Sequence, residues 1–264
     1  SGNGTVLLSG AIAGYATLTL ADAGSTLDVS QVTRVSDVTL TTANGAVWTF
    51  PSGWHPTWGS GVTLSTSGVG SEFVNRSTIS LAGTSLAINT SAFTNSGVLS
   101  PLVGGIFDFN GSFRVDQLGI LAGVAGGTFT ISGDLLGDTQ NADQYAPQAL
   151  VSFDGLGTLT NPQRLEVMGR DVEAVPAGFS RNFVYARLDL ASGTYLQLVD
   201  LSDNASGTEP EAVYVNSLIV PAGATLDLND LHLYTRAAQI GGTIVGGSIT
   251  QIPDSGPIEV ASPT

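Results

Sequence analysis

Apolar and polar residues alternate in short runs along the chain: Thr17-Leu18-Thr19-Leu20, Val38-Thr39-Leu40, Ser77-Thr78-Ile79-Ser80-Leu81, Leu196-Gln197-Leu198-Val199 and Ser248-Ile249-Thr250. A period of two sends successive side chains to opposite faces of a strand, one inward and one to solvent. Gly, Asn, Asp and Ser separate the runs, as turns between short strands require. No segment carries a helical stripe. The best helical candidate, Asn161 to Val172, is short, contains Gly169, and reads as a loop or an inserted strand.

A longer regularity is laid over the alternation. A glycine, two free positions, then two apolar residues flanking one free position recur at Gly24, Gly45, Gly83, Gly104, Gly126, Gly193 and Gly223, with a degraded copy at Gly61. The separations are 21 from Gly24 to Gly45, 21 from Gly83 to Gly104, and 22 from Gly104 to Gly126. Ala23 to Val29 and Ala222 to Leu228 differ only by Ser for Ala and Val for Leu. A spacing near 22 is the length of one coil of a parallel β-solenoid, in which no coil buries its apolar residues alone and stacking builds a common core. The expected fold is therefore all-β, a parallel right-handed β-helix of about a dozen coils, about 55 Å long at the strand spacing. The solenoid is expected over residues 1–252, with an irregular or inserted region at 134–190 where the template fails, and 253–264 as a Pro/Ser linker or tail.

Composition narrows the setting. The chain has 264 residues, 42% hydrophobic and only 11% charged, with 34 glycines, a balance that favours strands and turns over helices. Cysteine is absent and all eight basic residues are arginine, so disulfide and thiol chemistry are excluded. A net charge of -14 and a pI near 4.1 oppose binding to nucleic acid and make divalent cations the natural counter-charge. No apolar run reaches the roughly 18 residues of a membrane helix, and 7% aromatics is thin for a membrane barrel, so direct membrane insertion is not expected. The opening Ser1-Gly2-Asn3-Gly4 reads as a processed chain or an excised fragment, and the lack of lysine favours a secreted or cell-surface location.

The stretches Leu198 to Asn204, Glu211 to Leu218 and Val220 to Leu228, with Leu231-His232-Leu233-Tyr234 and Gly241 to Gly247, resemble a segment of very large bacterial surface proteins that carry repeated β-solenoid domains. The resemblance implies a module of a secreted, adhesin-like or cell-envelope protein. It supplies no catalytic residues.

Several clusters are candidates for chemistry. The loop Asp200 to Glu211 gathers Asp200, Asp203, Asn204, Glu209 and Glu211, hard oxygen donors suited to Ca2+; the same pattern also describes a solvated acidic turn. A weaker set for Ca2+ is Asp134, Asp138 and Asp143. Trp54 and Trp58, with His55 between them, lie in a Pro/Gly loop. Their indoles either stack on surface glycans or fold over an edge of the rod as a local core. Parallel β-helices also serve polysaccharide lyases and hydrolases, which makes Asp108, Asp116, Asp134, Asp138, Asp143, Asp154 and Glu166 candidate acids, with Arg114 and Arg170 beside Asp116 and Asp171. His55 and His232 lie on distant coils and suggest no Ser-His-Asp arrangement. Thr-x-Thr pairs such as Thr17 and Thr19 resemble a flat ice-binding face, but no recurrence at the coil spacing is visible. The expectation is a non-enzymatic structural or adhesive module that associates end to end; the alternative is a protein that binds or cleaves polysaccharide.

Overall fold

The computed structural model describes residues 5–205 and 210–252. Its strands stack in parallel into a β-solenoid of about 11 coils of ~22 residues. Three sheets run along it. The longest takes one strand from each coil, from Thr5–Ala21 and Thr26–Ala43 through Val62–Ser67, Ser85–Asn89, Ile106–Phe109, Thr128–Ile131 and Leu150–Phe153 to Thr250–Gln251. The second joins nine strands, from Val47–Phe50 to Thr243–Val245, and the third only Thr78–Leu81, Val98–Pro101 and Ile120–Leu121.

Alternation fills the space between the sheets. Leu64, Ile88, Phe109, Ile131 and Phe153 form one inward column of the long sheet, each in register with the next and each fully buried. Phe109 stacks on Phe113 of the second sheet at 3.9 Å, and Phe107 on Phe129 of the next coil at 5.4 Å. Burying one such side chain stabilises the fold by roughly 1.5–3 kcal/mol, so neighbouring coils hold one another in place. A polar device sits at one corner. Asn75 and Asn95 are fully buried one above the other, and Asn75 Nδ2 donates to Asn95 Oδ1 at 2.8 Å. Asn95 Nδ2 donates to the carbonyls of Gly97 and Ile120, which gives these buried acceptors at the bend of the backbone a partner.

The recurring glycine marks a turn, not a coil. At all eight template positions its φ lies between +61° and +89°, a region that L side chains rarely adopt. In the copies at Gly104 and Gly126, the N–H of the next residue returns to a carbonyl three residues back, Gly105 to Leu102 and Gly127 to Val124. Five copies open strands of the long sheet, whereas Gly45, Gly193 and Gly223 open strands of the second. The near-identical segments at 23–29 and 222–228 thus lie on different sheets, and the step from Gly24 to Gly45 joins two faces of one coil. The true coil length is read from strand register: 21 residues between Leu86 and Phe107, 22 from Phe107 to Phe129 and from Phe129 to Val151, and 24 between Val62 and Leu86.

Two coils are longer. Val151 pairs with Leu188, an offset of 37, and Leu188 with Leu218, an offset of 30. The first contains an excursion. Asn161 to Val172 holds a regular second-sheet strand, Gln163–Glu166, after which the chain leaves the coil and Gly169–Arg170 pairs antiparallel with Ala212 and Glu211. A single 3-10 turn, Pro176–Phe179, follows before the chain rejoins at Tyr185–Leu190. The excursion packs Val172 and Phe179 against a separate small core of Val184, Ala212, Tyr214, Tyr234 and Ile252.

The threonine pairs do recur: Thr17, Thr39 and Thr63 are in register, as are Thr19, Thr41 and Ser65. Steps of 22 and 24 residues hide this in the sequence. The array gives way to Ala87 and Asn89 in the next coil, and Thr41 and Ser65 hydroxyls bond each other at 2.9 Å.

Candidate functional site

Charge is distributed along the rod in a way the average composition conceals. Apart from Asp254 and Glu259 in the tail, every charged residue lies between Asp22 and Arg236. Thr5–Ala21 contains none, and neither does the segment 237–252. They are the outermost strand at one end and the closing part of the last coil at the other; by register Asp22 still belongs to the first coil and Arg236 to the last. Thr5–Ala21 pairs along one side with Thr26–Ala43 and leaves its other backbone edge without a strand partner among the described residues. Val6 and Leu7 are more than half exposed on it. Three register shifts interrupt the pairing, with Gly10 and Gly14 at positive φ beside them, but no Lys, Glu or Pro guards this edge. At the opposite end Ile240 is exposed, and Ile244 and Ile249 only partly cover the core.

The tryptophans do not form a surface site. Trp54 and Trp58 are 4% and 6% exposed, packed against each other at 5.8 Å and against Phe50 at 5.3 and 5.9 Å. Trp54 Nε1 donates to the Val32 carbonyl, and Thr57–Trp58 pairs with Arg34 and Val35. The indoles close the core on a side where the third sheet has not yet begun: they form the local core that the sequence allowed, and they are not the exposed indoles that stacking on glycans requires. His55 is exposed, with its Nδ1 3.5 Å from the Thr78 carbonyl.

The acidic loop is likewise divided. Asn204 and Glu211 are buried, Asp200 and Asp203 exposed, and Glu209 lies outside the described residues. Among the described residues no three His, Asp or Glu side chains converge into a group that could hold a metal ion. Buried carboxylates instead clamp the loop: Glu166 Oε1 accepts from the N–H groups of Leu201 and Ser202, and Glu211 Oε1 from those of Asn204 and Ala205. Burial pushes Glu211 up to about 7 against the loop N–H groups that lower it, with Asp200 and Asp203 adding to the rise. Burial also raises Glu166.

A pH dependence follows. The folded chain holds the Glu211 proton more tightly than the unfolded chain does, so stability falls as pH rises from about 4.5 to about 7 and this contribution is constant above. Glu211→Gln keeps an acceptor for the loop and cannot ionise. Its urea midpoint should therefore gain on that of the native chain across this window; parallel midpoints from pH 4 to 8 would contradict the assignment.

The other candidate acids have local partners. Asp134 meets Arg164 through Nε at 3.0 Å and Nη2 at 2.6 Å, Asp116 meets Arg114 at 3.2 Å, and Asp154 accepts from Ser132 at 2.7 Å. Asp138 accepts from the Gln117 N–H, Asp108 from Asn110, and Asp143 lies 3.8 Å from Arg181. The groove of about 580 Å³ beside Asp134 and Arg164 contains no second carboxylate.

One constellation is absent from the sequence reading. His232 Nδ1 lies 2.5 Å from Asp171 Oδ2, and Tyr234 OH donates to Asp171 Oδ1 at 2.9 Å. Asp171 comes from the excursion, 61 residues away in sequence, so no local spacing announces the pair. Tyr214 stacks on Tyr234 at 4.8 Å, accepts from the Val172 N–H and donates to the Glu173 carbonyl, which fixes the carboxylate's approach.

Compared with known protein families, curated proteins and solved structures, the chain has no match.

Proposed function

We propose that this chain is a structural or adhesive rod module of an extracellular bacterial surface protein, and that its coils join end to end with those of a second copy. The observation that carries the reading is the outermost strand Thr5–Ala21, which holds no charged residue and has no strand partner on its other edge among the described residues. A rod of strongly negative flank repels its neighbours sideways over roughly 8–10 Å at physiological salt. The uncharged strand Thr5–Ala21, with exposed Val6 and Leu7, carries no such barrier, and its edge without a partner among the described residues offers a row of backbone donors and acceptors to the end that exposes Ile240. The resemblance of the stretch from Leu198 to Gly247 to repeated solenoid domains of bacterial surface proteins supports the location.

The test is sedimentation of the full chain over a concentration series, with and without Ca2+, beside Ala11→Lys/Thr17→Lys. Both positions are exposed on the first coil. The native chain should form concentration-dependent linear oligomers, and the double variant should stay monomeric with an unchanged melting temperature. Monomers of the native chain throughout would sink the reading, as would undiminished assembly of the variant.

A further inference from the structure

The Asp171 and His232 pair has a form that packing alone does not explain. Asp171 has only 7% of its side chain exposed, whereas the imidazole it holds is 64% exposed. Fixing a solvated side chain costs rotamer entropy, and an exposed ion pair returns about 0–1 kcal/mol. A histidine that served only to fill space would lie inside the core. Here Nδ1 is held by the carboxylate and the carboxylate is braced by Tyr234 OH, an arrangement that selects the tautomer with the proton on Nδ1 and so leaves Nε2 as the acceptor nitrogen.

His232 lines a groove of about 420 Å³ together with Glu173, Asp230, Gly246, Gly247 and Ser248. Gly246 and Gly247 have φ of +67° and +145°, conformations open to glycine, and bring bare backbone to the groove wall. This site borders the last coil through Gly246 to Ser248 but shares no residue with the strand Thr5–Ala21.

We propose that His232 is a general base for hydrolysis of an uncharged carboxylic ester in this groove, with Asp171 as the positioning residue that fixes its tautomer. Nε2 takes a proton from a water molecule as the water oxygen bonds to the ester carbonyl carbon. The tetrahedral intermediate then breaks its bond to the alcohol oxygen, and the proton on Nε2 passes to that leaving oxygen. An acid and an alcohol are released and the imidazole is restored, with water as the only co-reactant. Glu173 and Asp230 face the same groove and repel an acyl donor that carries its own negative charge. The site therefore selects neutral esters over anionic ones.

The experiment uses the full chain with p-nitrophenyl acetate and with the p-nitrophenyl monoester of succinic acid as probes. The native chain should hydrolyse the acetate about 100-fold faster than an equal concentration of N-acetylhistidine amide, the low end of a positioned base. The succinate monoester should react more slowly. His232→Gln can still hydrogen-bond Asp171 but offers no base, and should fall to the level of buffer with an unchanged melting temperature. Asp171→Asn should lower the rate about tenfold and alter the pH profile, as loss of an orienting partner does. A native rate no greater than that of the free imidazole, or full activity in His232→Gln, overturns the proposal and leaves the assembly reading untouched, because sedimentation reads the latter separately.

Discussion

Phe109→Ala is expected to cost about 4 kcal/mol, within the range for removing a buried phenylalanine side chain. Phe109 has no exposed surface and touches rings on three sides: Phe113 at 3.9 Å, Phe93 at 5.6 Å and Phe107 at 6.3 Å. The gap cannot readily close. Ile88 and Ile131 in the coils on either side are pinned by parallel register to the same strand, so the backbone that would collapse is already hydrogen-bonded in place. A solenoid is held by nearest-neighbour contacts, and the loss should concentrate in the coils around 88, 109 and 131. Hydrogen exchange of these strands, alongside the urea midpoint, is the measurement. A cost below about 1 kcal/mol, the level of a volume-conserving swap, would mean that the aromatic stack does not hold these coils.

The second large effect is expected from a change of one atom. Asn95→Asp preserves shape but replaces the Nδ2 donor with an oxygen facing the carbonyls of Gly97 and Ile120. The site is fully buried, and none of the Asn95 side-chain bonds reaches a cation. An unpaired buried charge should cost about 3–5 kcal/mol at neutral pH. Acidification should recover part of this, because the protonated acid regains one donor. Equal urea midpoints of variant and native chain at pH 7 would show that this corner is wet and the ladder without consequence.

What the sequence revealed of this fold follows from what is local in it. Alternation and turn glycines are properties of a few consecutive residues, and both were legible: every template glycine has the positive φ that its turn needs. Coil length was read correctly for a partly wrong reason, because a turn before the second sheet has the same sequence as a turn before the first. Gly24 and Gly223 look alike since both obey the same turn, not the same position in the coil. The buried asparagines were invisible, because Asn in a Gly/Ser-rich chain reads as a turn residue and only stacking reveals Asn75 above Asn95. The Trp54 and Trp58 loop could be read either as exposed, for its Pro and Gly content, or as a local core, and the core reading holds because of a third sheet that starts only at Thr78. The Asp171 and His232 contact is set by an excursion whose return path no periodicity describes.

That excursion has a mechanical meaning. It departs from the coil that precedes Tyr185–Leu190, ties backbone to Glu211–Val220, and reaches His232 and Tyr234 one layer further. Tension applied along the axis of a stacked coil opens its layers one at a time, as a zipper does. Where a strap crosses three layers, they must part together, so pulling strips the plain layers first and leaves the strapped ones as the last to yield.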